Sequence, residues 1–340
     1  MESNFTIRLR EARLMRQFSM KKLSELTGSA ITKQSISRYE KGIMHPKQNA
    51  LAALSRALGI SEAYLNGCGV GIDLPALRAS TGCILTEEQI AVIDAKLSFW
   101  AERYIEKERR ADCQSSFVNP LQDLRASTID DVQKAADILR EQWRCGDGPI
   151  NSVLRLLERK GIKILLTELP DNVLGLSTWA DNKHPLIVID NRLRKTTTEQ
   201  IRFTACHELA HLLLTFPDDS KLTIEKRCNI FASFFLFPKT TFIEEMGAAT
   251  RSSLTLDELT DLKTAYGISV AAQVHEAWDI GMISRKHYDW WYDGPIRDNI
   301  RETGWGAYPL PETIGREHRI DSRMKNRQMY GTDNFTFISR

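Results

Sequence analysis

His207, Glu208 and His211 stand inside residues 203–214, FTACHELAHLLL, a stretch whose other positions are apolar or small. A helix turns about 100° per residue, so positions four apart differ by about 40° around its axis. His207 and His211 therefore share one face, a turn apart, and both imidazoles can reach one divalent ion. Glu208 lies beside His207, near enough to touch a water on that ion without being a ligand. Zinc held by three protein groups keeps a fourth position for water and lowers its pKa to about 7. A neighbouring carboxylate can take the proton and pass it to a leaving amine. H-E-x-x-H is the helix signature of metallohydrolases. The bland account is two surface histidines on an amphipathic helix. Against it, the flanks are apolar all round, which predicts a buried helix, and buried polar groups need partners.

Such a site needs a third ligand. Glu225 lies fourteen residues beyond His211, near the start of the next apolar helix, a spacing that suits a helix–turn–helix return. Asp218 and Asp219 are rivals, but they sit in the loop FPDDS, where ligand geometry is less rigid. A first-turn glutamate that stabilises the helix dipole is the ordinary account of Glu225. Glu225 is preferred, because a glutamate from a neighbouring helix completes many His2Glu sites.

The elements that must carry these groups can be read around them. INSVLRLLERKG predicts a helix ended by Gly161, and IKILLTEL, VLGLSTWA and PLIVIDN predict three strands separated by turn residues. The apolar helix bearing the histidines follows, then TIEKRCNIFASFFLF, stopped by Pro238, and a helical region over 257–283. PLIVIDN is expected to offer a free edge to an extended peptide beside the metal, unless it is an ordinary internal strand. Residues 70–85 are rich in glycine and small side chains and predict a linker, with two charged helices over 86–144. The last 57 residues, rich in Trp, Tyr and Arg, carry no clear pattern and are expected to be a plain capping segment.

The chain has 340 residues, 42% hydrophobic and 26% charged, with a net charge of +2, which bounds it as a multidomain globular protein. The charge is unevenly placed. Residues 1–70 hold eleven Lys and Arg against five Glu and no Asp, a basic excess that attracts polyanions, nucleic acid first among them. Residues 5–65 predict five short helices, with Ser19 and Thr32 as caps and Gly28 and Gly42 as stops. Leu23 and Ile36 would face each other inside, leaving Lys33, Gln34, Ser35 and Arg38 outward, types that suit base edges and phosphates. The six cysteines form no C-x-x-C pair and no disulfide or zinc-finger spacing. With no apolar signal core at the N-terminus and no run of about 18–20 apolar residues, the expected location is the cytoplasm.

Two resemblances bring these readings together. RFTACHELAHLLL followed by EKRCNIFASFFLFP resembles the ImmA/IrrE family of zinc metallopeptidases, through Arg202, Phe203, Thr204, His207, Glu208, His211, Glu225, Asn229, Phe231, Ala232 and Pro238. Cys228 stands where that family usually has alanine. The resemblance covers about 150–283 and implies His207, His211 and Glu225 as zinc ligands and Glu208 as general base. Residues 5–65 resemble the lambda-repressor/Cro-like helix-turn-helix family, through Leu23, Gly28, Thr32, Ile36, Ser37, Tyr39, Glu40, Gly42 and Pro46. Its turn is two residues longer than usual, and Met20 replaces a phosphate-contacting glutamine. The expected DNA contacts are Lys33, Gln34, Ser35, Ser37 and Arg38.

The expected architecture is multidomain and mainly α. An all-α helix-turn-helix bundle spans 1–70, a helical linker 71–149, an α+β zincin-like metallopeptidase domain with a small sheet 150–283, and an aromatic-rich segment 284–340. The expected function is a DNA-binding transcriptional regulator with a zinc-dependent endopeptidase that cleaves a repressor-type protein or itself. Expected partners are double-stranded DNA, a protein substrate and a second copy, since one such unit buries too little for tight specific binding. The competing reading is a transcription factor whose metal site is structural or ligand-sensing. The presence of Glu208 argues against it, because a structural site needs no base. His275, Tyr266 and His287 are the candidates for stabilising an oxyanion.

Overall fold

The computed structural model describes residues 4–330 apart from 61, 67–71, 74–85, 172, 196, 218–219 and 248. It opens with five helices, α1 (Asn4–Met15), α2 (Met20–Leu26), α3 (Lys33–Glu40), α4 (Gln48–Leu58) and α5 (Glu62–Asn66). Ser19 and Thr32 cap α2 and α3 by accepting hydrogen bonds from the N–H groups of Lys22 and Ser35, contacts worth about 1 kcal/mol each. Leu9, Ala12, Leu23, Ile36 and Leu54 are fully buried between them. Arg13 on α1 grips Glu40 on α3 through two bonds of 2.6 and 2.8 Å, so the aromatic–glutamate pair at 39–40 braces the bundle. In the long turn between α2 and α3, Gly28 and Ser29 both take positive φ, at 66° and 60°.

The segment read as a linker contributes more than a connection. β1 (Ile72–Asp73) pairs antiparallel with a later strand, while 74–85 lie outside the described residues. α6 (Glu87–Arg110) joins two bodies. On one side Glu102 pairs with Arg8 at 3.2 Å, and Phe99 meets Tyr64 edge-on at 5.2 Å. On the other, Ile93 and Leu97 pack with Leu176 and Val188 of the sheet. α7 (Ile129–Trp143) enters the largest core, where Trp143 lies edge-on to Phe235 at 5.9 Å. The apolar stripe of α7 needs a partner, and it finds one in the core it shares with α10.

α8 (Val153–Arg159) leads into β2 (Lys163–Thr167), β3 (Gly175–Ala180) and β4 (His184–Asp190). The sheet runs β1-β3-β4-β2, with β3 antiparallel to β4 and β2 parallel to it. Leu186, Ile187, Val188 and Ile189 of β4 are wholly buried. Here the expectation of a free edge fails. β4 is the interior strand, with β3 and β2 on its two sides, and the continuous β-branched run that suggested a docking edge is what a strand covered on both faces requires.

α9 (Thr198–Leu213) and α10 (Lys221–Leu236) pack side by side over this sheet and against α7. Pro238 then starts α11 (Lys239–Glu245), followed by α12 (Leu256–Tyr266), α13 (Val270–Asp279), α14 (Arg285–Trp291), a π-helical turn (Tyr292–Ile296) and α15 (Arg316–Tyr330). The C-terminal segment is tied in by carboxylates. Glu312 accepts bonds from the first N–H groups of α8, Val153 and Leu154, at 2.9 and 3.0 Å, and pairs with Arg202 of α9 at 2.7 Å. Glu302 does the same for Val270 and Ala271 of α13, at 3.1 and 2.9 Å, while holding Lys263. Both satisfy amides that a helix start leaves without partners. No described helix is long and apolar enough to cross a membrane.

Candidate metal centre and nucleic-acid interface

α9 begins at the Thr197 cap and runs through a core that buries Ala205, Cys206, Leu209, Ala210 and Leu213. His207 and His211 project from the side that faces α10, each with a side chain 12% exposed. Glu225, in the second turn of α10, meets them: His207 Nε2 lies 3.2 Å from Glu225 Oε2, and His211 Nε2 lies 3.5 Å from Glu225 Oε1. The two Nε2 atoms are 3.2 Å apart. Among the described residues these three alone form a cluster of metal-ligating type, with all donor atoms within 4.8 Å of one another. Asp218 and Asp219, the rivals for the third position, lie outside the described residues.

The donors fit a small tetrahedral cation. Ligands about 2.1 Å from zinc in a tetrahedron stand about 3.4 Å from one another; the two Nε2 atoms are 3.2 Å apart, and each faces a different oxygen of Glu225, at 3.2 and 3.5 Å. Asn229, one turn beyond Glu225, accepts from His207 Nδ1 at 2.8 Å. That bond places the ring proton on Nδ1 and leaves the Nε2 lone pair directed at the other donors. Glu225 Oε1 is buried without a hydrogen-bond partner. Burial raises the Glu225 carboxyl, but the His207 and His211 rings outweigh it and hold it at about 2, so it is an anion. The set is two imidazoles and a carboxylate, borderline and hard donors together, as zinc takes them.

Glu208 is 3% exposed and sits on the sheet side of the same helix. Its Oε2 accepts a hydrogen bond from Ser177 Oγ of β3 at 2.8 Å. Burial pushes its carboxyl above the usual range, opposed by the nearby His207 and His211 and by the Ser177 bond. Gly175 explains how β3 comes so near. A Cβ there would stand 2.7 Å from Thr204 Cγ2 and 3.0 Å from Glu208 Cγ, so only glycine permits this approach.

Ser177 and Gly175 were not singled out from the sequence; a lone serine in a strand carries no local signal, whereas a glycine inside the predicted strand VLGLSTWA could have flagged a close approach. Asn229 had one: it falls four residues after Glu225, on the same helix face. Of the oxyanion candidates, Tyr266 donates to Glu245 at 2.8 Å, and His287 Nε2 accepts from the Leu254 amide at 2.9 Å. His275 lines a cavity that reaches Glu225 and Asn229, with Nδ1 bonded to Asp279 at 3.0 Å.

In the N-terminal bundle, Lys33, Gln34 and Arg38 are exposed along α3, while Ser35 and Ser37 are half-buried. The Ser35 hydroxyl also shares a 3.0 Å hydrogen bond with the Thr32 cap. Met20 packs against the bundle core rather than standing free.

Comparison with known families gives two matches. A family model described as helix-turn-helix matches residues 9–65, and one of the peptidase M78 family, described as an IrrE N-terminal-like domain, matches residues 157–277. No curated protein matches the chain. The second match contains both helices of the metal cluster, and the first contains α3 with its exposed basic face. The chain thus carries a helix-turn-helix match over residues 9–65 and, separately, an IrrE N-terminal-like match over residues 157–277, the two regions that the sequence resemblances pointed to.

Proposed function

We propose that the protein is a DNA-binding transcriptional regulator whose peptidase-family domain is a zinc-dependent endopeptidase acting on a repressor-type protein or on a copy of itself. The observation that carries the reading is the convergence of His207, His211 and Glu225 beside a buried carboxylate held by Ser177. A purely structural metal site has no use for that second acid.

In this reading His207, His211 and Glu225 hold the ion. When bound, zinc supplies Lewis acidity for the scissile carbonyl and the attacking water. Glu208 accepts a proton from that water on a carboxylate oxygen and delivers it to the amine nitrogen as the C–N bond breaks. Ser177 fixes the rotamer of Glu208, and Asn229 fixes the ring of His207, so neither must be ordered during the reaction. Residues 175–177 of β3 pair with no strand on the side away from β4 among the described residues.

The basic face of α3 supplies DNA recognition through Lys33, Gln34, Ser35, Ser37 and Arg38, with the half-buried serines limited to backbone contacts. A homodimer would place two such helices on successive half-sites. The decisive comparison is metal content and cleavage of repressor-type proteins by wild type and Glu208→Gln. Retained zinc with lost cleavage supports catalysis. Zinc in both, with no cleavage of any such protein by wild type, favours a metal site that only senses or stabilises.

A further inference from the structure

A cavity of about 380 Å³ opens next to the metal cluster, between α10, α13 and the π-helical turn. Its size falls within the range of about 300–1,000 Å³ typical of ligand sites. One end reaches Glu225 and Asn229, and its walls are apolar, with Phe203, Phe234, Ala272 and the Tyr292 ring among them. At the wall formed by α13 lies Glu276, 2% exposed. Neither of its carboxyl oxygens meets a hydrogen-bond donor or water-accessible surface.

A carboxyl buried with both oxygens unsatisfied is costly, and folded proteins supply donors to such groups. The basic side chains that line the cavity make contacts elsewhere. Lys226 lies over the Trp278 ring at 5.6 Å, and His275 is bonded to Asp279 at 3.0 Å. The cavity beside Glu276 offers a route by which donors can arrive. An aliphatic stem would match the phenylalanine and alanine walls, and a cationic head would meet Glu276.

We propose that this cavity is a subsite for a lysine or arginine side chain of the polypeptide substrate, with Glu276 as the group that reads its charge. The inference rests on the peptidase reading for the identity of the ligand, since the cavity ends at Glu225 and a side chain held there would sit beside the scissile bond. Burial drives the Glu276 carboxyl well above its ordinary range in the free protein, as expected of an acid awaiting a counter-charge.

Two measurements on the full-length protein test this separately from catalysis. The first is NMR titration with N-acetyl-arginine amide and N-acetyl-norleucine amide, which share a stem and differ in charge. Wild type should bind the arginine compound at least tenfold more tightly, Glu276→Gln should erase that advantage, and Ala272→Leu, which fills the cavity, should weaken both. Equal binding of the two, no binding of either, or an arginine preference that survives Glu276→Gln overturns the proposal. The second is mass-spectrometric sequencing of cleavage sites made by the zinc-loaded protein in a mixed peptide library. Enrichment of Lys or Arg at one position flanking the cut, lost in Glu276→Gln, supports it. Cleavage without that enrichment overturns the subsite and leaves the peptidase standing. Charge-selective binding without any cleavage overturns the peptidase reading and leaves the site.

Discussion

Ser177 Oγ on β3 donates a 2.8 Å hydrogen bond to Glu208 Oε2 on α9, joining the sheet to the acid beside the metal cluster. The contact is buried, so its effect is on orientation rather than on solvation. If Glu208 moves the proton, Ser177→Ala should lower kcat about 10–100-fold, the usual cost of losing a supporting partner. Zinc content and melting temperature should stay near wild type, because Ser177 touches no candidate ligand. A variant that cleaves at the wild-type rate would remove Ser177 from the mechanism.

Asn229 acts on the ligand side. Its 2.8 Å bond to His207 Nδ1 sets which ring nitrogen would face a bound ion. Asn229→Ala frees the ring to adopt either tautomer and should weaken zinc binding by about 10–100-fold. Competition with a chromophoric chelator reads this directly. Asn229→Asp should rescue most of the affinity, since a carboxylate also accepts from Nδ1–H. Unchanged affinity in both variants would show that packing alone orients the ring.

How far the sequence alone reached can be judged from particular residues. His207, His211 and Glu225 were legible because helix periodicity converts spacing into direction: four apart is one face, and fourteen apart returns across a turn. The caps Ser19 and Thr32 were legible for the same local reason. Ser177 was not, because the contact between a strand residue and an acid thirty-one positions later depends on sheet order. The placement of β4 failed likewise, since a run of β-branched residues states that a strand is buried and not which neighbours bury it. Glu276, inside an ordinary amphipathic helix, could not be told from a solvated glutamate until the cavity beside it was seen.

The basic face of α3 makes a quantitative prediction. Arg38 and Lys33 are exposed on the helix that follows the turn. If either contacts phosphate, its replacement by alanine should weaken binding to all duplexes and reduce the slope of log affinity against log salt by about 1. Gln34→Ala should instead relax preference at one base pair, at a cost of about 1–3 kcal/mol on a duplex selected by the wild type. Isotherms at several salt concentrations separate the two classes. Variants that bind like wild type under all conditions would move the interface off α3.

Glu276 also bears on stability. Burial raises its carboxyl well above the ordinary range, with Asp279 adding to the effect. The folded protein therefore keeps a proton that the unfolded chain releases above about pH 4.3. Because the native state binds more protons there, this group's contribution to stability falls as pH rises from that point toward its folded pKa. Glu276→Gln has no such proton to lose. Denaturant midpoints of wild type and variant should be closest near pH 4 and diverge toward pH 7, the variant becoming the more stable. Parallel curves would show that Glu276 is solvated or paired in solution.

Arg202 and Glu312 test whether the C-terminal segment belongs to the peptidase fold. The pair is wholly buried at 2.7 Å, with Arg202 also donating to the carbonyls of Gly267 and Tyr266. Glu312 in addition receives two amides of α8. Removing the carboxylate leaves a guanidinium and two helix-start N–H groups without their partner. Breaking such a buried pair costs about 3–5 kcal/mol, a large share of the about 5–15 kcal/mol that holds a domain. Glu312→Ala should therefore lower the denaturant midpoint severely. Arg202 lies five residues before His207, so zinc affinity should fall with it. Glu312→Gln, which keeps the shape and one acceptor, should fall between. If Glu312→Ala instead unfolds like wild type, the segment after 284 is a removable appendage and α8 and α9 stand without it.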